Sequence, residues 1–202
     1  MKTSEFMEID YEPTIDFTKN QLTFKKNTKV GLRHYINMSK PLNNNVLLKT
    51  FKRKEEDVEK LKFIYDHIKT VWANNNNELN EWILNFIACS FAGRKVRKIL
   101  YLPCKEERAG RGSILNFFNL ILGERMYKTS SIETITKYTK PFEGRSLLNF
   151  DELPTDTGNW RSVADNLKAL STEPTFDCRD MYASVYTQKN TFNIIITSNN
   201  QA

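Results

Sequence analysis

Three short apolar runs, each ending in polar residues, constrain the fold of this chain more than any other feature. They cover residues 98–103, 146–150 and 192–197, and helical patterns lie between them, over 113–123 and after Trp160. Apolar strands that alternate with helices are typical of a parallel sheet that is buried on both faces. The sequence therefore predicts an α/β fold of three layers, in which helices cover a central sheet on two sides.

The residues before this core follow a different pattern. In 56–73 and again in 78–91, apolar residues recur every three or four positions, which indicates two amphipathic helices. The asparagine run 74–77 separates them. We expect three units, namely a turn-rich segment with short strands and a charged linker over 1–55, a helical hairpin over 56–95, and the sheet core over 96–202.

The composition narrows the possible classes of function. Lys and Arg number 30 against 24 Asp and Glu, and this formal net charge of +6 suits nucleic acid, although many proteins without such a partner have a similar excess. Three scattered cysteines and two histidines leave no spacing for a zinc site. The chain has neither the apolar run of a signal peptide nor one that could span a bilayer, so we expect an intracellular protein without membrane association.

A glycine-containing loop joins the first apolar strand to the next helix, where a phosphate-binding loop would lie. In 105–113, Gly110, Arg111, Gly112 and Ser113 align with a Gly-Lys-Ser/Thr core, with Arg111 in the lysine position and Gly112 in the usual hydroxyl position. Backbone N–H groups at the helix start would face the phosphates, Arg111 would neutralise their charge, and a hydroxyl would hold Mg²⁺. The alternative is a basic turn that Ser113 caps at the start of a helix.

Two carboxylates follow the second apolar strand. Asp151 and Glu152 come directly after residues 147–150, which is the Walker B arrangement. Asp151 would order the Mg²⁺ shell, and Glu152 would polarise an attacking water. The alternative is a solvated acidic turn before Pro154.

The third apolar strand ends at Asn199, whose amide could contact both a terminal phosphate and the attacking water. Taken alone, this residue is equally well explained as a plain strand end, because Asn and Ser are common turn residues. The order of the three candidates strengthens each of them. All three follow the carboxyl end of a strand, and open α/β sheets bind their ligands at that edge.

Residues 78–202 resemble the superfamily-three helicases, in particular the poxvirus-like primase–helicases of large DNA viruses and phages. The matching segments are 82–86, 110–113, 142–144, 150–152, 166–172, 179–182 and 195–200. The resemblance implies an AAA+-like P-loop NTPase that binds ATP and Mg²⁺, assembles as a homo-hexamer, binds single-stranded or forked DNA and unwinds DNA, in the host cytoplasm or nucleus. It also implies that Ser113 and Asp151 hold the metal and that Glu152 and Asn199 are catalytic.

The resemblance extends to a DNA-contacting region. In the family, the stretch that corresponds to 166–182 carries a hairpin that reaches DNA in the central channel, and Lys168 and Arg179 are our candidates for that contact. The alternative is that both are ordinary surface charges. Residues 1–77 match less specifically and resemble the segment that joins a primase domain to a helicase collar.

The sequence departs from the family pattern in its phosphate loop and at its end. Arg111 replaces the phosphate-binding lysine with a bulkier, planar cation. Lys105 stands at the first glycine position and Arg108 at another, where side chains could block close approach of the backbone to a phosphate. The chain ends just after the sensor strand, before the family's arginine finger, so we expect a fragment of a longer primase–helicase.

These observations leave several functions open. The first is a motor that couples ATP hydrolysis to DNA unwinding. The second is a degenerate module that binds nucleic acid, or assembles with intact subunits, without hydrolysis. A third is an α/β domain that binds another anion at the helix start that follows Gly110.

Overall fold

The computed structural model describes residues 11–17, 23–28, 31–40, 55–103, 110–153 and 160–199. The strands are β1 Tyr11–Thr14, β2 Thr23–Thr28, β3 Gly31–Asn37, β4 Ile99–Pro103, β5 Met126–Thr129, β6 Leu147–Asp151, β7 Thr175–Cys178, β8 Tyr186–Lys189 and β9 Asn193–Ser198. The α-helices are α1 Glu55–His67, α2 Asn77–Phe91, α3 Arg111–Leu122, α4 Ile132–Thr136 and α5 Trp160–Thr172, with a π-helical turn over Ile68–Trp72 and 3-10 turns over Gly123–Arg125 and Lys140–Phe142. Within this described part of the chain, no helix combines the length and apolarity that crossing a bilayer requires.

A four-stranded sheet forms the centre of the molecule, with the strand order β4-β9-β6-β5. All three neighbouring pairs are parallel. The order places β9 between β4 and β6, so the carboxyl ends of the three strands predicted from sequence lie side by side. The predicted α/β class with a parallel sheet is confirmed.

Two separate hydrophobic clusters cover the two faces of this sheet. Because side chains alternate along a strand, Leu147 and Ile195 point into one cluster and their neighbours Leu148 and Ile194 point into the other. The first cluster includes apolar residues of α2 and α3, and the second includes those of α5. This burial on both faces explains why β6 and β9 are almost continuous apolar runs.

The predicted helical hairpin corresponds to α1, its π-helical continuation and α2. Asn76 caps α2, since its Oδ1 accepts a hydrogen bond from the backbone N–H of Leu79 at 3.0 Å. Ile68 and Trp72 in the π-helical turn and Phe86 in α2 are buried in the first cluster. The helices therefore share a core with the sheet, while the predicted unit boundaries at 55 and 95 stay predictions.

The N-terminal strands form a second, three-stranded sheet with the order β1-β3-β2. Of this predicted unit, residues 1–10, 18–22, 29–30 and 41–54 lie outside the described part of the chain. The backbone N–H of Lys40 donates to the carbonyl of Gly144 at 2.9 Å, and the Arg125 Nε donates to the carbonyl of Lys40 at 2.9 Å. These bonds attach the end of the N-terminal segment to the core.

Candidate functional site

The candidate site begins at the start of α3, where Gly110 is the N-cap residue with a left-handed backbone at φ 76°. A Cβ at this position would lie 2.6 Å from Cε1 of His67, so the backbone angle and the close packing both favour glycine. Ser113 lies in the first turn and is exposed, and Gly110 rather than Ser113 is the cap. The predicted loop residues Lys105 and Arg108 lie outside the described part of the chain.

The side chain of Arg111 turns from the start of α3 toward the ends of two strands. Its Nη1 donates to the carbonyl of Leu102 in β4 at 2.6 Å and to the carbonyl of Ser198 in β9 at 2.9 Å. Its Nη2 donates to Oδ1 of Asn199 at 2.7 Å. Arg111 therefore connects the candidate phosphate loop to the carboxyl edge of the sheet.

Asn199 continues this hydrogen-bonded set to the acidic strand end, because its Nδ2 donates to Oε1 of Glu152. Glu152 has a positive φ of 51°, which is rare for a residue with a Cβ, and its backbone N–H donates to the carbonyl of Thr197 at 2.9 Å. Strained conformations of this kind occur at ligand sites more often than elsewhere. The geometry therefore joins Arg111, Asn199 and Glu152 in one set of contacts. The catalytic and binding roles of these residues stay predictions.

Asp151 is engaged through both carboxylate oxygens. Oδ1 accepts from Oγ1 of Thr197 at 2.5 Å, and Oδ2 lies 2.7 Å from Nζ of Lys128 in β5. Burial by itself raises the pKa of Asp151, but the hydrogen bonds from Lys128 and Thr197 and the charges of Lys128 and Arg111 outweigh burial, so the pKa lies below its ordinary value. Asp151 is therefore ionised at neutral pH.

The residues at this edge fit a nucleotide–Mg²⁺ complex in chemical type. Mg²⁺ prefers oxygen ligands and is usually bound through one or two carboxylates, waters and substrate phosphates. Asp151 supplies an ionised carboxylate, and Ser113 supplies an exposed hydroxyl in the first turn of α3. Among the described residues no three His, Cys, Asp or Glu side chains form a cage, so a metal here would depend on ligand oxygens. Arg111 and Lys128 supply the positive charge that phosphates need.

The predicted DNA-contacting residues lie elsewhere. Lys168 is exposed on α5, and Arg179 is exposed just after β7, where its Nη2 lies 3.3 Å from Oδ2 of Asp177. The antiparallel hairpin β7–β8 extends beyond Arg179 to a tip where Tyr182 is fully exposed. The described hydrogen bonds of Lys168 and Arg179 do not connect them to the set around Arg111.

Sequence analysis missed two residues of the site, Lys128 and Thr197. Thr197 was read as part of the third apolar strand, although its hydroxyl faces Asp151. Lys128 lies in β5, whose four residues include no apolar run. The position of each residue at the end of a parallel strand was the available signal, but using it requires the order of the strands.

Comparison with known proteins adds information about the fold. Residues 104–202, just under half of the chain, match the model of a family of unknown function, DUF5906. The comparison with curated proteins gives no match. The match begins directly after β4, so it includes α3 and the ends of β6 and β9 but no residue of β4.

Solved structures of the C-terminal region of NrS-1 share the fold. The apo structure of its residues 305–718 has a TM-score of 0.66 and 17% identity, and the match covers 94% of this chain and 43% of that chain. An A-form apo structure has a TM-score of 0.67 and 16% identity, covering 93% and 42%. A further A-form apo structure has a TM-score of 0.63 and 14% identity, covering 94% and 42%. This chain therefore spans less than half of the NrS-1 structures, and at these identities the likeness shows the fold alone.

Proposed function

We propose that this chain is the ATP-hydrolysing core of a viral-type replicative DNA helicase, the function that the sequence resemblance implies. One observation carries the proposal. Arg111, Glu152 and Asn199 come from three distant segments and form one hydrogen-bonded set at the carboxyl edge of a parallel sheet. Ligands of open α/β sheets bind at this edge. The fold shared with the C-terminal region of NrS-1 supports the architecture that the proposal needs.

In this proposal the start of α3, over 110–113, receives the phosphates of ATP, because a helix N-terminus offers N–H groups and a favourable dipole. Asp151 and Ser113 hold Mg²⁺, which neutralises charge on the phosphate oxygens when it is bound. Glu152 polarises the attacking water. Asn199, which donates to Glu152, fixes the direction of that carboxylate.

Arg111 has to exchange partners in order to act on a phosphate. Its guanidinium donates to two backbone carbonyls and to Asn199, all at the strand ends. A phosphate oxygen is a stronger, charged acceptor than a carbonyl, so a bound nucleotide can compensate for the bonds that Arg111 gives up. The same exchange would release Asn199 from Arg111.

The proposal assigns DNA binding to the residues around α5 and the β7–β8 hairpin. Lys168 and Arg179 contribute positive charge, and the tip of the β7–β8 hairpin presents the exposed side chains of Met181, Tyr182 and Val185. Exposed aromatic rings beside basic residues are typical of surfaces that stack single-stranded bases. The proposed assembly is a homo-hexamer on DNA, in a viral replication context within the host cell.

The direct test of hydrolysis is phosphate release by the purified protein with ATP, Mg²⁺ and single-stranded DNA. We expect DNA-stimulated hydrolysis in the wild type and a loss of roughly 100-fold or more in Glu152→Gln, since the amide cannot act as the base. Glu133→Gln is the matched control, because Glu133 lies on α4 in an exposed ion pair with Lys137. Hydrolysis that survives in Glu152→Gln would contradict the role of Glu152.

A second function is a non-hydrolysing module that binds nucleic acid or assembles with intact subunits. The observation that favours it is the engagement of Arg111 by the protein itself, where the motor needs a free cation for the phosphate. This function predicts salt-sensitive DNA binding with no phosphate release. Absence of turnover in the wild type under the conditions above, together with retained DNA binding, would replace the motor with this module.

A further inference from the structure

Lys128 is a cation at the candidate metal site that the sequence did not indicate. It is the third residue of β5, and in the register of the sheet it lies opposite Asn149 of β6. Its side chain extends along the neighbouring strand to Asp151, where Nζ lies 2.7 Å from Oδ2. The ammonium therefore takes a position on the carboxylate where a metal ion would otherwise bind.

The environment of this ion pair differs from that of an ordinary surface pair. The side chains of Lys128 and Asp151 are 51% and 35% exposed, and Oδ1 of Asp151 is held by Thr197 at 2.5 Å. The Lys137–Glu133 pair of α4, at 61% and 63% exposure, has no such third partner within the described contacts of Glu133. Asp151 is thus fixed in direction, and both of its oxygens already have donors before any metal arrives.

The ammonium of Lys128 and a metal ion would compete for the same carboxylate oxygen, Oδ2 of Asp151. Both are cations that seek the lone pairs of Oδ2, and a divalent ion close to Nζ would be repelled by its charge. Lys128 has a long flexible stem and is half-exposed, so it can move into solvent without disturbing β5. Binding of the metal therefore requires displacement of Lys128 and no change in the sheet.

We propose that Lys128 is a tethered counter-ion that occupies the Mg²⁺ position on Asp151 in the nucleotide-free protein and competes with the metal for that carboxylate. This inference rests on the proposed function, because it needs a nucleotide-bound metal at Asp151. Lys128 is then a positioning residue: it hinders the binding of free divalent ions to Asp151 and is displaced when metal and nucleotide bind together.

The test measures metal affinity and not activity. Mn²⁺ replaces Mg²⁺ as the probe, and its binding in the presence of saturating ADP is followed by the electron paramagnetic resonance signal of the free ion. We expect Lys128→Met to tighten Mn²⁺ binding by roughly twofold to fivefold, the effect of removing one partly exposed ion pair that competes with the ion. Lys128→Arg retains the charge and is expected to bind Mn²⁺ as the wild type does.

Two controls separate competition from general effects. Lys137→Met removes a cation from an exposed pair on α4, and it should leave the Mn²⁺ dissociation constant unchanged. Without metal, in the presence of a chelator, Lys128→Met should not tighten ADP binding, because only the competition with the ion has been removed. Lys128→Gln provides a second, polar replacement, and the thermal unfolding midpoint of each variant verifies that it is folded.

The outcomes distinguish this inference from the proposed function. Wild-type binding of Mn²⁺ and ADP with no tightening in Lys128→Met and Lys128→Gln would overturn the role of Lys128 alone, and weaker binding would do the same. No binding in the wild type but binding in Lys128→Met would support competition directly. If no variant binds Mn²⁺ and ADP, the proposed metal–nucleotide site is wrong, and the role of Lys128 is then wrong as well.

Discussion

Arg125 and Arg111 both direct a guanidinium at backbone carbonyls, but their surroundings differ. Arg125 is 2% exposed, donates to the carbonyl of Lys40 and lies over the ring of Phe17 with Cζ 5.1 Å from its centroid. Arg111 is only half-buried and donates to three acceptors at the strand ends. One arginine joins the N-terminal residues to the core, and the other joins a candidate ligand loop to the edge of the sheet.

The difference in burial determines which contact can be exchanged. Burial lowers the pKa of Arg125, although the charge of Asp16 opposes this effect, and Nη2 of Arg125 is buried with no hydrogen-bond partner in the part of the chain that the structure describes. Displacing this side chain would open the packing around it, so we interpret Arg125 as a structural contact that holds the N-terminal residues on the core. Arg111 itself is only half-buried, and one of its acceptors belongs to the exposed Asn199, although the carbonyls of Leu102 and Ser198 belong to buried residues. A phosphate can therefore replace the contacts of Arg111 more readily than those of Arg125. The comparison therefore assigns stability to one arginine and ligand exchange to the other.

The strongest test of this comparison is truncation of each arginine. We expect Arg125→Ala to reduce the free energy of unfolding by about 3 kcal/mol, because it leaves a cavity and an unpaired carbonyl in the interior. Arg111→Ala is expected to cost about 1 kcal/mol, since removing this half-buried side chain lets water reach the acceptors that it leaves. Urea denaturation followed by circular dichroism gives both values on the same scale.

The control for these variants is Arg161→Ala, which removes an exposed arginine of α5 and should change the free energy of unfolding by no more than about 0.5 kcal/mol. Equal losses for Arg125→Ala and Arg111→Ala would show that the strand-end contacts of Arg111 are structural. The description of Arg111 as exchangeable would then be wrong.

Two glycines beside Arg111 allow a smaller test with a built-in control. Gly110→Ala forces a Cβ onto a left-handed residue and to within 2.6 Å of the His67 ring, so we expect a loss of about 1–2 kcal/mol in the free energy of unfolding. At Gly112 a Cβ would meet no atom of the described residues within 4 Å, and Gly112 lies in the first turn of α3. Gly112→Ala should therefore be neutral or stabilise by up to about 1 kcal/mol.

The same pair of variants also examines the phosphate loop. If the start of α3 receives phosphate, Gly110→Ala should weaken ADP binding as well as stability, because the backbone angle that directs the first turn is lost. Isothermal titration calorimetry with ADP measures this directly. Loss of stability in Gly112→Ala larger than in Gly110→Ala would contradict the described geometry of the helix start.

The sequence was sufficient to predict the strands that are buried on both faces. β6 and β9 are almost continuous apolar runs and are buried along nearly their whole length, whereas the apolar run of β4 lies at the edge of the sheet and is buried only at alternate residues. The parallel arrangement of the three strands places the residues that follow them at one edge. The proximity of Arg111, Glu152 and Asn199 could therefore be expected before the structure. The helix start could not be placed as well, because the left-handed Gly110 allows α3 to begin at Arg111, two residues before the predicted start.

The remaining features depend on information that a single sequence does not contain. β5 and the β7–β8 hairpin have four residues per strand and mixed polarity, so their hydrogen bonds and not an apolar pattern define them. The contact of Lys128 with Asp151 follows from β5 lying next to β6, and strand order is set by tertiary packing. The docking of Arg125 on Lys40 joins residues 85 positions apart, and no local pattern encodes it.

The smallest predicted effect concerns the pH dependence of the site carboxylate. The pKa of Asp151 is lowered from its ordinary value of 3.8 in the folded protein, so its ionised form stabilises the fold above that value. This contribution is lost as the pH falls through the lowered folded pKa. Asp151→Asn removes it at every pH. We therefore expect the wild type to unfold at a higher temperature than Asp151→Asn at pH 6, and the difference to shrink below about pH 3.8.

Lys137→Met serves as the control, because it removes an ion pair away from the sheet edge. A difference between wild type and Asp151→Asn that stays constant from pH 6 to acid would mean that Lys128 and Thr197 do not favour the ionised form of Asp151.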